Sequence, residues 1–171
     1  MLKEIDLDLW NERVTVADYV DGSDKYYGAI LEQYKLYVEM ADRVSSRRGL
    51  TNTFFLTLNT SIYAALVLLW RKSPAGSPRQ LLAIPLIVLI GQCGAWYWIV
   101  RSYRQLNAAK YLVVGALEER LPASPYFRAE WKALGEGKDL SKYLPLTHME
   151  QWIPVLFAVS YIGGYFAVLL S

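Results

Sequence analysis

The chain has a single cysteine, Cys93, and a single histidine, His148. That excludes an intrachain disulfide and a Cys/His metal cluster, and it leaves no convincing Cys–His nucleophile pair. No Arg stands four to six places before His148, so the arginine-then-histidine spacing of nucleolytic helical domains is also missing. Phosphate-binding glycine loops, the dinucleotide fingerprint and the zinc-protease pattern do not occur. A net charge of +2 is too weak to attract nucleic acid by itself, and no direct nucleic-acid binding is expected. The acidic opening, MLKEIDLDLWNER, lacks the apolar centre of a signal peptide, so a span must act as the insertion signal. Charge is absent from three long apolar stretches, Leu50–Trp70, Leu81–Val100 and Trp152–Leu170. Each is about the ~20 residues needed to cross a bilayer as a helix.

What is present agrees with a membrane protein. Hydrophobic residues make up 54% of the 171, and the mean hydropathy of +0.16 is above that of most soluble domains. Six Trp and thirteen Tyr suit a chain with two membrane–water interfaces, where amphipathic rings collect. The expected fold class is all-α, with three transmembrane helices and the first two extended into a cytoplasmic helical layer. Residues 1–22 read as an N-terminal arm, in which alternating Ile5, Leu7 and Leu9 suggest a short strand or extended segment. A turn at Asp21–Asp24 precedes a cytoplasmic amphipathic helix over 23–49. Its apolar face is Tyr27, Ile30, Leu31, Tyr34, Tyr37, Val38, Ala41 and Val44; Glu39 and Arg43 pair on the other face, and Gly49 permits a bend.

A transmembrane hairpin follows over 50–100, with spans at about 50–70 and 81–100 and a short rigid loop between them. The second span continues as a helix to Leu121, through Tyr103, Leu106, Val113, Val114 and Leu117, until Pro122 and Pro125 stop it. The cytoplasmic region 101–151 adds a short helix at Tyr126–Leu134, ended by Gly135-Glu136-Gly137. Thr147 and Glu150 have capping-box spacing before a third span at 152–170, and this cap accounts for Glu150 beside His148. The larger group of Lys and Arg lies beside the N-terminal helix and the 101–151 region. The positive-inside rule therefore puts both in the cytoplasm and the C-terminus outside.

The polar row in the first span is the strongest functional feature. Asn52, Asn59 and Tyr63 share a helical face, with Thr53 and Thr60 beside them. Amides in hydrocarbon are costly unless bonded or wet. They serve either as interhelical hydrogen-bonding groups or as the lining of a pore built from several copies. Gly91 with Ala95, Ser160 with Gly164, and Gly163 with Ala167 have the small-xxx-small spacing that lets helices approach closely. Arg47, Arg48, Arg101, Arg104 and Lys110 form a basic rim at the inner face. It acts as an anchor, as a contact for anionic lipid or as a cationic pore vestibule. No charge lies within a span, no catalytic constellation is found, and neither an enzymatic role nor a cofactor or metal is expected.

The segments EQYKLYVEMADRVSSRRGLTNTFFLTLNT, RSYRQLNAAKY, LPASPYFRAEWKALGEG and LPLTHMEQWIP together resemble the RipA family of small bacterial inner-membrane proteins, which are described as octameric. The resemblance covers roughly Asp24 to Phe157. It implies an oligomer, an octamer by family, in the bacterial cytoplasmic membrane. A looser similarity links the chain to small membrane pore proteins that accompany RNA-guided defence nucleases. The expectation is therefore a homo-oligomeric pore or channel, in the role of an antiviral-defence effector that depolarises the membrane. The alternative is a non-conducting scaffold whose cytoplasmic helices dock a protein partner. No functional residue is carried over from either family.

Overall fold

The structure, a computed structural model, describes residues 2–20, 22–72, 79–139, 141–143 and 146–170, without the side chains of 2–4, 71, 72, 81 and 146–148. The expected loop over 73–78 and the side chains of Thr147 and His148 lie outside the described residues. The elements are α1 (Leu2–Leu9), α2 (Ser23–Lys72), α3 (Ala83–Glu118), α4 (Trp131–Ala133) and α5 (Leu146–Leu170). Short 3-10 turns sit at Val16–Asp18, Arg79–Leu82 and Gly135–Gly137, and a π-helical stretch at Pro125–Glu130 leads into α4. Among the described residues there is no strand, and α2, α3 and α5 are long and apolar enough to cross a membrane.

Several expectations are corrected. The alternating Ile5, Leu7 and Leu9 lie in helix α1, not in a strand, because three apolar residues without a pairing edge have nothing to ladder with. α2 is continuous through Gly49 as one helix of 50 residues, which agrees with a tolerated glycine and leaves the expected bend untested. α3 stops at Glu118, four places short of Pro122, and the chain then turns through short hydrogen-bonded loops. α5 begins at Leu146, which places Pro154 inside the helix. Pro154 is buried and brings no N–H for the carbonyl four residues before it.

The contacts divide into two compact units. A polar unit comprises 1–46 and 104–145; an apolar unit comprises 47–103 and 146–171. In the polar unit the first half of α2 packs antiparallel on the last half of α3. Asn107 Nδ2 donates to Ser45 Oγ at 3.3 Å, and Tyr34 OH donates to Glu118 Oε1 at 3.0 Å. Ile30 and Ala41 are buried on the α2 side, and Val114, Ala116 and Leu117 on the α3 side. Tyr27, Leu31 and Leu106, placed on the inner faces by periodicity, are instead exposed. The expected Glu39–Arg43 pair forms at 2.6 Å. Arg120 Nη1 donates to Tyr26 OH at 3.2 Å while its guanidinium lies 3.5 Å from the Trp10 ring centroid, tying the N-terminal arm to this unit.

In the apolar unit all three span helices share one core. Leu89, Cys93 and Tyr161 form its buried centre, with Ile62, Leu66 and Phe157 packed against them. Rings link the spans: Phe55 stacks on Trp96 at 5.6 Å, Trp96 meets Phe157 at 6.1 Å, Phe157 meets Tyr161 at 6.2 Å, and Tyr161 meets Tyr63 at 5.8 Å. Aromatic pairs in such offset or tilted geometries contribute about 0.5–1.5 kcal/mol each beyond area burial. They give the three helices a fixed rotation about their axes.

Candidate functional site

Asn59 sits at the centre of the apolar unit and is wholly buried. Its Nδ2 donates back to the Phe55 carbonyl at 2.8 Å. Its Oδ1 accepts the Tyr161 hydroxyl at 3.1 Å and, more weakly, the Cys93 thiol at 3.7 Å. Tyr161 OH also reaches the Asn59 backbone carbonyl at 3.1 Å. One amide thus takes bonds from α3 and α5 while bonded to its own helix. Asn52, two turns earlier, accepts from Trp96 Nε1 at 2.9 Å. In hydrocarbon each of these groups would be orphaned without its partner, so their pairing specifies register between helices.

The other members of the predicted row go elsewhere. Thr53 and Thr60 are exposed, and Thr53 Oγ1 donates to the Gly49 carbonyl at 3.0 Å. Tyr63 is partly exposed, with its ring against Tyr161. Thr57 is exposed beside Thr53 and Thr60; sequence reading passed over it, although the spacing 53, 57, 60 is itself a helical stripe. Gly91, Gly163 and Gly164 have no atom within 4 Å of where a Cβ would stand, and Ala95 and Ala167 are exposed. Ser160 is half-buried, its hydroxyl bonded to the Leu156 carbonyl at 2.8 Å. Within one chain the core contacts are made by Ile, Leu, Cys and aromatic side chains with Ala158, whereas Gly91, Ala95, Gly163 and Ala167 are exposed.

The residues of the predicted basic rim differ in exposure and belong to both units. Arg47 and Arg101 are exposed, Arg101 lying 5.5 Å from the Trp98 ring centroid. Arg104 is half-buried. Arg48 Nε lies 3.3 Å from Glu150 Oε2, at ion-pair distance but off the hydrogen-bond direction. The expected capping partner of Glu150, Thr147, has its side chain outside the described residues. Lys110 is buried with its ammonium 4.6 Å from the Tyr37 ring centroid, a cation–π contact.

Sequence reading missed Glu118, the one carboxylate buried among the described residues. It accepts Tyr34 OH at 3.0 Å, Ser124 Oγ at 2.6 Å, Tyr126 N–H at 3.1 Å and Phe127 N–H at 3.0 Å. Burial, and next the adjacent Glu118 carboxylate, push the Tyr34 phenol well above its ordinary value. The ring of Phe127 closes over Gly115, where a Cβ would stand 2.5 Å from a ring carbon. An acid in the last turn of a helix opposes the macrodipole. That was the available signal: Glu118 instead caps the N–H groups of the next segment. Among the described residues no group of three or more His, Cys, Asp or Glu could hold a metal.

The spans and their bonded core define a helical membrane protein whose small residues and hydroxyls are left on its outer faces. A family model covers residues 31–170, and the chain belongs to the octameric membrane protein family. Self-association and a membrane location follow from that membership and the three apolar helices. No curated protein and no solved structure is similar enough to add to this match.

Proposed function

We propose that the octamer is a pore or channel in the bacterial cytoplasmic membrane, shut until triggered, which depolarises the cell as an antiviral-defence effector. In this reading the polar unit is cytoplasmic, the C-terminus lies outside, and the protein is not an enzyme. The observation that carries it is the stripe Thr53, Thr57 and Thr60, exposed on α2 roughly a third of a turn from the buried amides. A hydroxyl facing lipid can bond only to its own helix, as Thr53 does, whereas one facing a wet axis also has water as a partner. Copies of α2 round an axis would stack these hydroxyls as rings. The outward Gly91, Ala95, Gly163 and Ala167 suit close approach of neighbouring copies.

Conductance of the purified octamer in planar bilayers tests this. Thr57→Leu and Thr60→Leu should reduce current or alter selectivity in an intact octamer. Equal currents in all three proteins would remove α2 from the lining. A silent, well-formed octamer would favour a scaffold that docks a cytoplasmic protein. That second reading is supported by Leu36 and Met40, exposed on the polar part of α2.

A further inference from the structure

The antiparallel α2 and α3 give the polar unit two flanks, and the two differ. Along α2, Leu36 and Met40 lie roughly a third of a turn to one side of the buried line through Ile30 and Ala41, and Asp42 lies about as far to the other. Along α3, Leu106 and Tyr111 diverge in the same way from the line through Lys110 and Val114. The packing brings Tyr111 within electrostatic reach of Glu130, Tyr126 and Asp42, so these share one flank. The chain after α3 covers that flank: Phe127 closes over Gly115, and Glu118 holds the amides of Tyr126 and Phe127. The opposite flank carries Leu36, Met40 and Leu106, 60%, 49% and 47% exposed, with half-buried Val113 on the same side. We propose that this open flank seats a second copy of the chain, which presents its Tyr111 flank.

Three observations select that occupant. Exposed Glu32, Lys35, Glu39 and Arg43 run along the same stretch of α2, so the flank lies in water and lipid hydrocarbon does not cover it. In water a contiguous apolar face, unlike scattered single residues, marks a contact with protein. The family to which the chain belongs is octameric, so each copy has other copies beside it, and the matched range 31–170 includes every residue of both flanks. Copies inserted in one bilayer with one topology are related by rotation about the membrane normal. Contacts of that kind are heterologous: each copy offers two different faces, one to each neighbour. The polar unit has two such faces, one aliphatic, the other aromatic and acidic. The rotation also preserves height. Met40 is two residues, about 3 Å, from Asp42 along α2, so Met40 of one copy stands level with Tyr111 of the next. The proposal rests on family membership and does not depend on whether the octamer conducts.

Cysteine cross-linking in native membranes tests the pairing, with Cys93 buried and out of reach. Met40→Cys combined with Tyr111→Cys should give, on oxidation, a ladder of covalent oligomers up to the octamer, while each single variant stays monomeric. A dimer and nothing larger from Met40→Cys alone would mean that the flank pairs with itself. No ladder from an intact octamer of the double variant would mean that the copies meet elsewhere. Either result overturns the proposal. A second measurement uses the unaltered octamer, purified free of other polypeptides. Its Met40 should be oxidised about tenfold more slowly than in protomers that are released by harsher detergent and keep the amide protection of Tyr126 and Phe127. Equal rates would leave the flank open in the octamer, hand it to a foreign protein as in the scaffold reading, and overturn the proposal as well.

Discussion

Replacing Glu118 should release the segment after α3 without dispersing the rest of the chain. The carboxylate takes four hydrogen bonds, two of them from the backbone N–H groups of Tyr126 and Phe127. Hydrogen bonds to a charged group are each worth about 1.5–3 kcal/mol, and a buried donor left unpaired costs on the order of 1–3 kcal/mol. Glu118→Ala strips both amides at once, for a local loss of about 3–6 kcal/mol if the two add. At ~1.4 kcal/mol per tenfold, their hydrogen exchange should speed up by roughly 10²- to 10⁴-fold. Glu118→Gln is the sharper variant. Whichever oxygen becomes the amide nitrogen, one backbone N–H, that of Tyr126 or Phe127, then faces another donor, while the hydroxyl beside it, of Tyr34 or Ser124, can turn to accept. The variant should recover only part of the protection. Amide exchange of the octamer read by mass spectrometry, with peptides covering 119–134, measures both. If Glu118→Ala changed exchange at 126 and 127 by less than about fivefold, under 1 kcal/mol, the carboxylate would not be what holds this segment.

Two further substitutions test the packing. Asn59→Leu should lower the melting temperature of the detergent-solubilised protein, through a loss of about 0.6–1.7 kcal/mol per interhelical bond, because Tyr161 keeps the Asn59 carbonyl as acceptor. Any current should survive in the Asn59→Leu octamer, since the amide lies inside the chain and not on a pore axis. Gly115→Ala would drive a methyl into the Phe127 ring and should cost about 1–3 kcal/mol, seen as earlier proteolysis within 119–134.

Much of the fold was legible because its strongest signals are local. Uncharged runs of span length mark the membrane helices, and an uninterrupted 3.6 period fuses the first two spans to polar helices. The side-chain roles were harder. Periodicity put Asn52, Asn59, Thr53 and Thr60 in one row, but it cannot say which side of the row meets α3. The answer depends on Trp96 and Tyr161, which lie 44 and 102 residues from their amide partners. The same limit explains Lys110: a lysine near a membrane edge reads as an anchor until Tyr37 is seen beneath it. Small-xxx-small spacing does not distinguish an inner from an outer face. Glu118 was legible in principle, as an acid at the wrong end of a helix dipole.

The polar unit draws on two stretches of chain, 1–46 and 104–145, with both apolar spans of the hairpin between them. A ribosome making this protein exposes Tyr34 long before Glu118, 84 residues later, leaves the exit tunnel. The amphipathic half of α2 therefore waits without its partner while two spans enter the membrane. Ile30 and Ala41, buried in the finished unit, stay without their covering helix until both spans of the hairpin have been synthesised. The connectivity that makes the long helices continuous thus makes the pairing in the polar unit the later of the two between α2 and α3 to be completed in chain order.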